Sequence, residues 1–393
     1  LHFQCEHNPV ASDVRELTTL EKRLVASDNK FGFKLFKEVV KAEPDTNVFI
    51  SPLSVSMALG MTLNGANSTT KEAMEQTLEF AGMTTDEINQ SYKSLIELLT
   101  QLDPRVIFDI ANSIWYRQGW TFEEEFINRN KTYFDALVQA LDFNDPNSVN
   151  IINGWVKDNT NGKIEKIIDS INPNIVMFLI NAIYFKGTWT YEFDKELTQD
   201  DFFTLPNGTQ KSCKMMVQTG EFSYLENDDF QAIDLPYGAG EFRMTIFLPK
   251  PTKSLDALIG EFNEGNWSNW LSSFSKDSVT LQFPKFKLEY EITLNDVLKA
   301  LGMGIAFTGQ ADFTRMYQPG GLFISYVKHK TFVEVNEEGT EAAAVTVVAI
   351  MDSAGGSSNI IFMRVDRPFI FVIRERHSQT ILFMGKIVEP SSE

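Results

Sequence analysis

The chain has 393 residues, 43% hydrophobic and 12% aromatic, with 32 phenylalanines. That supplies a large core and excludes a mostly disordered chain, and length alone suggests two or three domains. The net charge of −18 repels phosphate backbones and anionic lipids, which argues against nucleic-acid and heparin-like partners.

The two cysteines, Cys5 and Cys213, exclude a disulfide framework. Histidine stands only at 2, 7, 329 and 377, so no Cys/His metal spacing exists and no metal or cofactor is expected. Gly-x-Ser-x-Gly, His-Glu-x-x-His and phosphate-loop motifs are missing. A Ser–His–Asp enzyme would have to use His329 or His377 without a nucleophile motif, so an enzyme is not expected. No apolar run reaches the roughly 18–20 residues of a membrane span.

In chain order, residues 1–17 are polar and aperiodic. Leu1-His-Phe-Gln4 resembles the end of an engineered cleavage tag. A chain then opening on Cys5 looks like a lipid-anchored bacterial protein, the alternative being an incidental tail cysteine. Phe31, Leu35, Phe36, Val39 and Val40 predict a helix over 28–42. Ser51 followed by Pro52 predicts a capped helix running into an apolar stretch. Residues 86–102 predict an acidic amphipathic helix, and 106–116 a strand. A helix is predicted over 150–168 and a strand over 178–189. Further strands are expected at 234–237, 244–249 and 279–286, a helix at 294–301, and final strands at 369–373 and 381–385. Sequons occur at Asn67, Asn130, Asn207 and Asn266.

Near the C-terminus the local signals conflict. Residues 329–336 alternate like a strand, with Val333 and Val335 on one face. Thr340-Glu-Ala-Ala-Ala344 then looks like a capped helix start. Val345 to Ile350 is β-branched and strand-forming, while Asp352 to Ser358 is small and polar. Such conflict is expected where a chain must change state.

That stretch resembles the hinge and reactive-site loop of the serpin family. Glu337, Glu338, Gly339, Thr340, Glu341, Ala342, Ala343 and Ala344 resemble the hinge. Met363-Arg-Val-Asp-Arg-Pro-Phe369 resembles the family's C-terminal signature. The likeness extends over about residues 25–390 without a linker. It therefore implies a polar tail or tag remnant at 1–24 and a single domain over 25–393. The implied fold is α+β, with three β-sheets, eight to nine helices and an exposed C-terminal reactive loop.

The implied function is suicide-substrate inhibition. A serine protease cleaves the loop, and the loop then inserts as a strand into the central sheet, trapping the acyl-enzyme. A non-inhibitory serpin and one directed at cysteine proteases are the alternatives. The resemblance puts Ser51, Ser54, Asn181 and His329 in a polar cluster beneath the sheet that controls its opening, and makes Trp189 the cover of the insertion gap. Counting from Glu337, it puts the reactive bond at Ser353-Ala354, with Ile350, Met351 and Asp352 as alternatives. No Lys or Arg lies between Thr340 and Met363, so the expected partners are elastase-, subtilisin- or chymotrypsin-like enzymes. The helix over 86–102 has Lys93 as its only basic residue, so heparin-type activation is not expected. A monomer, extracellular or at the cell surface and anchored through Cys5 if that residue is lipidated, completes the expectation.

Overall fold

The computed structural model describes residues 14–340 and 360–391. Cys5, the hinge residues Glu341 to Ala344, and the reactive-bond candidates Ile350, Met351, Asp352, Ser353 and Ala354 lie outside the described residues.

The first helix, α1 (Thr19–Ala42), begins nine residues before the span predicted from apolar periodicity. Its start is set by a capping box: Glu21 N–H donates to Thr18 Oγ1 at 3.2 Å, and Thr18 N–H donates to the Glu21 carboxylate at 2.7 Å. Strand β1 (Val48–Ile50) leads into α2 (Pro52–Leu63), with Ser51 as its cap and Pro52 in its first turn, as predicted. Helices α3 (Ser68–Thr77) and α4 (Thr85–Gln101) follow, the second close to its predicted bounds. Then come β2 (Val106–Arg117), α5 (Glu124–Phe134), β3 (Leu137–Leu141), α6 (Asn147–Asn159) and β4 (Met177–Thr188). Helix α6 stops well short of the predicted Ile168, because Asn161 and Gly162 take positive φ and the Thr160 hydroxyl accepts the N–H of Ile164.

The second half is mostly strand: β5 (Gln199–Thr204), β6 (Gln210–Glu226), β7 (Phe230–Tyr237) and β8 (Phe242–Pro249). After α7 (Leu255–Glu261) and α8 (Glu264–Ser273) come β9 (Ser275–Pro284) and β10 (Phe286–Thr293). The helix predicted at 294–301 is the short α9 (Asn295–Leu298), continued by a wider turn to Met303 in which Gly302 takes φ 119°. The chain closes with β11 (Lys328–Val335), β12 (Gly339–Thr340), β13 (Ile361–Arg364), β14 (Phe369–Glu375) and β15 (Ile381–Ile387).

Among the described residues the strands form two hydrogen-bonded sheets where three were expected. Six strands run in the order β10-β11-β12-β4-β2-β3, and nine belong to the other sheet. The 17-residue β6 accounts for the difference. Its first residues pair with β5, its middle with β9 and its last with β7, so one continuous strand ties two groups together. Helix α2 is buried nearly all round and packs against both sheets, through β4 and β15. Helix α6 covers the other face of the six-stranded sheet, where Ile152 and Val156 meet Trp115, Phe178 and Ile180.

One buried carboxylate fastens α2 to its neighbours. Asp28 on α1 accepts the Ser56 hydroxyl at 2.5 Å and the Tyr92 hydroxyl of α4 at 2.9 Å, both on Oδ1. Its Oδ2 has no partner. Burial raises the carboxyl pKa to about 7. The folded state therefore binds a proton that the unfolded chain releases near pH 4, so this group's stabilisation is full at low pH and lost as pH rises through about 7. Asp28→Asn keeps a neutral group in the same place. Its melting temperature should exceed the wild type's by several degrees at pH 8, with the gap closing toward pH 4. A gap independent of pH in calorimetry would contradict this assignment.

Candidate functional site

The site lies on the six-stranded sheet, between β4 and β11. These two strands are joined through β12, which is two residues long. Gly339 pairs with Thr188 and Thr340 with Gly187 on one side, and Thr340 with Val335 on the other, all antiparallel. Among the described residues no strand separates β4 from β11 beyond that point. A cavity of about 400 Å³ opens there, lined by Val55, Leu59, Ile183 and Val327 and by polar groups from α2, β4 and β11.

Ser51, Ser54, Asn181 and His329 all line this cavity. The Ser51 N–H donates to His329 Nε2 at 3.0 Å, and the Ser51 hydroxyl donates to the Leu382 carbonyl of β15 at 2.7 Å. The Ser54 N–H closes the helix cap on Ser51 Oγ at 3.2 Å. His329 is 5% exposed, and burial lowers its pKa to about 4, so the ring is neutral at pH 7. Asn181 does not join this bond. Its Nδ2 donates to Asn112 Oδ1 at 2.8 Å, and Asn112 Nδ2 donates to the Phe134 carbonyl at 2.7 Å. The Asn181 Oδ1 is buried without a partner. The four residues thus share one cavity through two separate networks.

Trp189 sits at the opposite end, where the hinge enters the sheet. Its indole stacks on Tyr237, with centroids 4.4 Å apart and planes 13° from parallel. The indole N–H donates to the Asn336 carbonyl at 3.0 Å. Tyr237 and Thr340 share a hydrogen bond of 2.6 Å between hydroxyls. That contact, with the pairing to Gly187, makes Thr340 a strand residue where local propensity predicted a helix cap. Gly339 takes φ 152°, and a Cβ there would meet the Gly187 carbonyl oxygen at 2.2 Å, so only glycine passes this close to β4.

The hinge carboxylates are held individually. Glu337 is 4% exposed, pairs with Lys285 at 2.7 Å and accepts the Thr198 hydroxyl at 2.7 Å. Burial alone would raise its pKa, but the Lys285 ammonium and the Thr198 hydroxyl bring it below the usual value. Glu338 pairs with Lys195. The main chain is tied as well, with Trp189 N–H on the Glu338 carbonyl and Phe193 N–H on the Glu337 carbonyl, both at 2.8 Å.

Several of these partners were not picked out from the sequence. Thr331, whose hydroxyl donates to the Phe49 carbonyl, stands two positions from His329 on the same strand face, so alternation could have found it. Asn112, Lys285, Lys195 and Tyr237 are distant in sequence and carried no local signal. Among the described residues no nucleophile–base pair emerges. His329 Nε2 is taken by a backbone N–H and His377 Nε2 meets the Arg15 carbonyl at 2.9 Å. Burial lifts the half-buried Cys213 thiol to about 11, which keeps it protonated and unreactive.

Residues 26–390 match the family model for serpin (serine protease inhibitor). An uncharacterized serpin-like protein of Thermococcus kodakarensis is 36% identical over 373 residues, covering 94% of this chain and 86% of that protein. Human neuroserpin is 35% identical over 363 residues, covering 88% and 87% of the two chains. Among solved structures, the thermophilic serpin tengpin in its native state superposes with a TM-score of 0.87 at 32% identity, covering 96% of each chain.

The neutral, buried His329 makes a pH prediction of opposite sign to that of Asp28. Its folded pKa, about 4, lies below the 6.5 of the unfolded chain. Its contribution is therefore full above pH 6.5 and lost as pH falls toward 4. In an Asp28→Asn background, where the opposing slope is removed, stability to denaturant should fall between pH 6.5 and 4. Adding His329→Gln should flatten that fall. An unchanged slope in the double variant would place the titrating group elsewhere.

Proposed function

The chain belongs to the serpin family, whose members are generally protease inhibitors, and from that premise we propose that it is a suicide-substrate inhibitor of serine proteases. The observation carrying this reading is β12. The hinge already occupies the first two positions of a strand between β4 and β11, and β4 offers ten further residues, Met177–Lys186, beyond that pairing.

Continuing the same register puts residues 341–350 opposite those ten positions. Thr346 would then face Asn181 on one side and His329 on the other. Its hydroxyl would reach the level of the partnerless Asn181 Oδ1. Ala342, Ala344 and Thr346 share the core-facing side with Thr340, while the charged Glu341 takes the other. Small side chains and a proline-free run from Gly339 to Arg367 favour passage between strands. Val345 is bulkier and β-branched, which slows that passage.

On this reading the protease's serine attacks the carbonyl of the bait residue, the peptide bond to the next residue breaks, its amine leaves, and an acyl-enzyme remains. The freed hinge side zips downward from Thr340, pairing both inner edges and carrying the enzyme about 45 Å along the sheet at about 3.3 Å per residue. Without a basic residue in the bait, trypsin-like pockets have nothing to bind.

Incubation with a protease panel should yield adducts stable on denaturing gels with elastase-, subtilisin- or chymotrypsin-like enzymes, and none with trypsin through this loop. The released peptide should begin at Asp352 or Ala354, and a start beyond Asn359 would refute the register. The cleaved chain should melt well above the intact one. Equal melting curves and no adducts would favour a non-inhibitory serpin, and adducts with papain-like enzymes alone would favour the cysteine-protease reading.

Thr340→Arg should convert the inhibitor into a substrate. Thr340 is 3% exposed and touches Tyr237, so an arginine there is a buried charge without a partner. Insertion should slow and the protease should turn over the loop. The stoichiometry of inhibition should rise several-fold, and an unchanged value would contradict burial of this position during inhibition.

A further inference from the structure

The chain carries a fifth sequon, Asn89-Gln-Ser91, and the five differ sharply in how the fold presents them; we propose that Asn207 is the chain's acceptor for an N-linked glycan. The donor class is an oligosaccharide carried on a polyprenyl pyrophosphate. This goes beyond the inhibitory reading and is independent of it.

Asn130 is fully buried within α5. Its Nδ2 donates to the Phe126 carbonyl at 3.1 Å and its Oδ1 accepts from Asn64 at 3.2 Å. Asn266 lies in α8, with Nδ2 bonded to the Glu261 carbonyl at 2.8 Å and a buried Trp267 in the middle of its sequon. Asn67 stands at the start of α3, partly buried, with Nδ2 donating to Thr314 Oγ1 at 3.2 Å. Asn89 is buried within α4, with Nδ2 donating to Asn64 Oδ1 at 2.8 Å. Each of these four amide nitrogens is engaged, and three of the sequons are helical, so none can enter a transferase cleft without local unfolding.

Asn207 is different on every count. It sits at the tip of the hairpin between β5 and β6, where residues 206–210 are all exposed. The tip is a tight turn, closed by Leu205 N–H on the Thr209 carbonyl at 2.8 Å and Gly208 N–H on the Leu205 carbonyl at 2.9 Å. Gly208 takes φ +81°, and a Cβ there would meet nothing within 4 Å, so the middle of the sequon stands clear of the body. Asn207 Oδ1 accepts the Thr209 N–H at 2.9 Å. This Asx turn sets the amide and the sequon hydroxyl in one compact, outward-facing loop. No hydrogen bond from Asn207 Nδ2 to the described residues competes with a donor substrate.

In the transfer, Nδ2 forms a bond to C1 of the first sugar. The bond from C1 to the pyrophosphate oxygen breaks, the lipid pyrophosphate leaves, and the displaced Nδ2 proton passes to a base on the transferase. The Thr209 hydroxyl is the recognition group of the sequon and is not consumed.

The test uses the folded full chain, a single-subunit oligosaccharyltransferase that requires only N-x-S/T, and a dolichyl-pyrophosphate-linked chitobiose. Intact mass should rise by one glycan, and peptide mapping should place it on Asn207. Asn207→Gln and Thr209→Ala should each abolish it, while leaving the melting temperature unchanged. The urea-unfolded chain should accept glycans at additional sequons, including Asn130. A glycan on Asn67 or Asn266 of the folded chain would overturn the assignment. So would an unmodified folded chain whose unfolded form is modified at Asn207.

Discussion

The structure turns on an interruption of backbone pairing. The six-stranded sheet is continuous on either side of β4 and β11, yet among the described residues those two strands are bridged by only Gly339 and Thr340. Each therefore presents an inner edge, and buried backbone donors and acceptors are costly to leave unpaired. Satisfying an edge with an incoming strand is a general tendency of sheets. Here the segment best placed to do it is the one that continues from Thr340, so the fold's weakest line and its chain connectivity coincide.

Two sets of contacts act on this line from opposite ends. At the top, β12 is fastened by the Glu337–Lys285 and Glu338–Lys195 pairs, by the Trp189–Tyr237 stack and by the Tyr237–Thr340 hydroxyl bond. These hold the first two residues in place and so fix the register for anything that follows. At the bottom, Ser51 ties β11 to α2 through His329 and α2 to β15 through the Leu382 carbonyl, while Asn112 holds Asn181 of β4. The two networks do not bond to each other among the described residues. β4 and β11 can therefore separate without rupture of a direct side-chain link between Asn181 and His329. What holds the two strands is the packing of β4 on α2 and the bond of His329 on β11 to the Ser51 cap of α2, a helix that Asp28 and Tyr92 clamp through Ser56 from the far side.

The sequence made the fold legible wherever the chemistry was local. The Ser51-Pro52 cap, the acidic α4 and the alternation of β11 follow from capping, period and propensity, and all three are found near their expected places. The errors have local physical causes too. The expected start at residue 28 misses the turns that the Thr18–Glu21 capping box opens, where Leu24 and Val25 are already buried, and the expected end of α6 overruns the positive-φ pair Asn161-Gly162. Thr340 shows where local reasoning fails: its preference as a helix cap is overridden by Tyr237, a hundred residues earlier. The same limit hid Asn112 and Lys285, whose roles exist only through cross-strand and cross-sheet neighbours. The cavity residues were nameable only through family resemblance, because nothing in a lone serine or histidine announces which strand lies beside it.

The unpartnered oxygen of Asn181 bears on the energetics of the proposed insertion. A buried acceptor left unmade costs about 1–3 kcal/mol, and among the described residues this one has no partner. On the proposed mechanism the cost is relieved only when a hydroxyl arrives at that level, and the register assigns that position to Thr346. One hydrogen bond is small beside the net stability of a domain, about 5–15 kcal/mol. On the same mechanism the larger gain would come from backbone pairs made along the ten positions Met177–Lys186 of β4 and from apolar contacts made in the cavity. Insertion would then proceed in sequence from Thr340 downward, because each new pair requires the one above it. On the proposed mechanism the two-residue strand is where insertion would begin, since its pairs with Thr188, Gly187 and Val335 are already made.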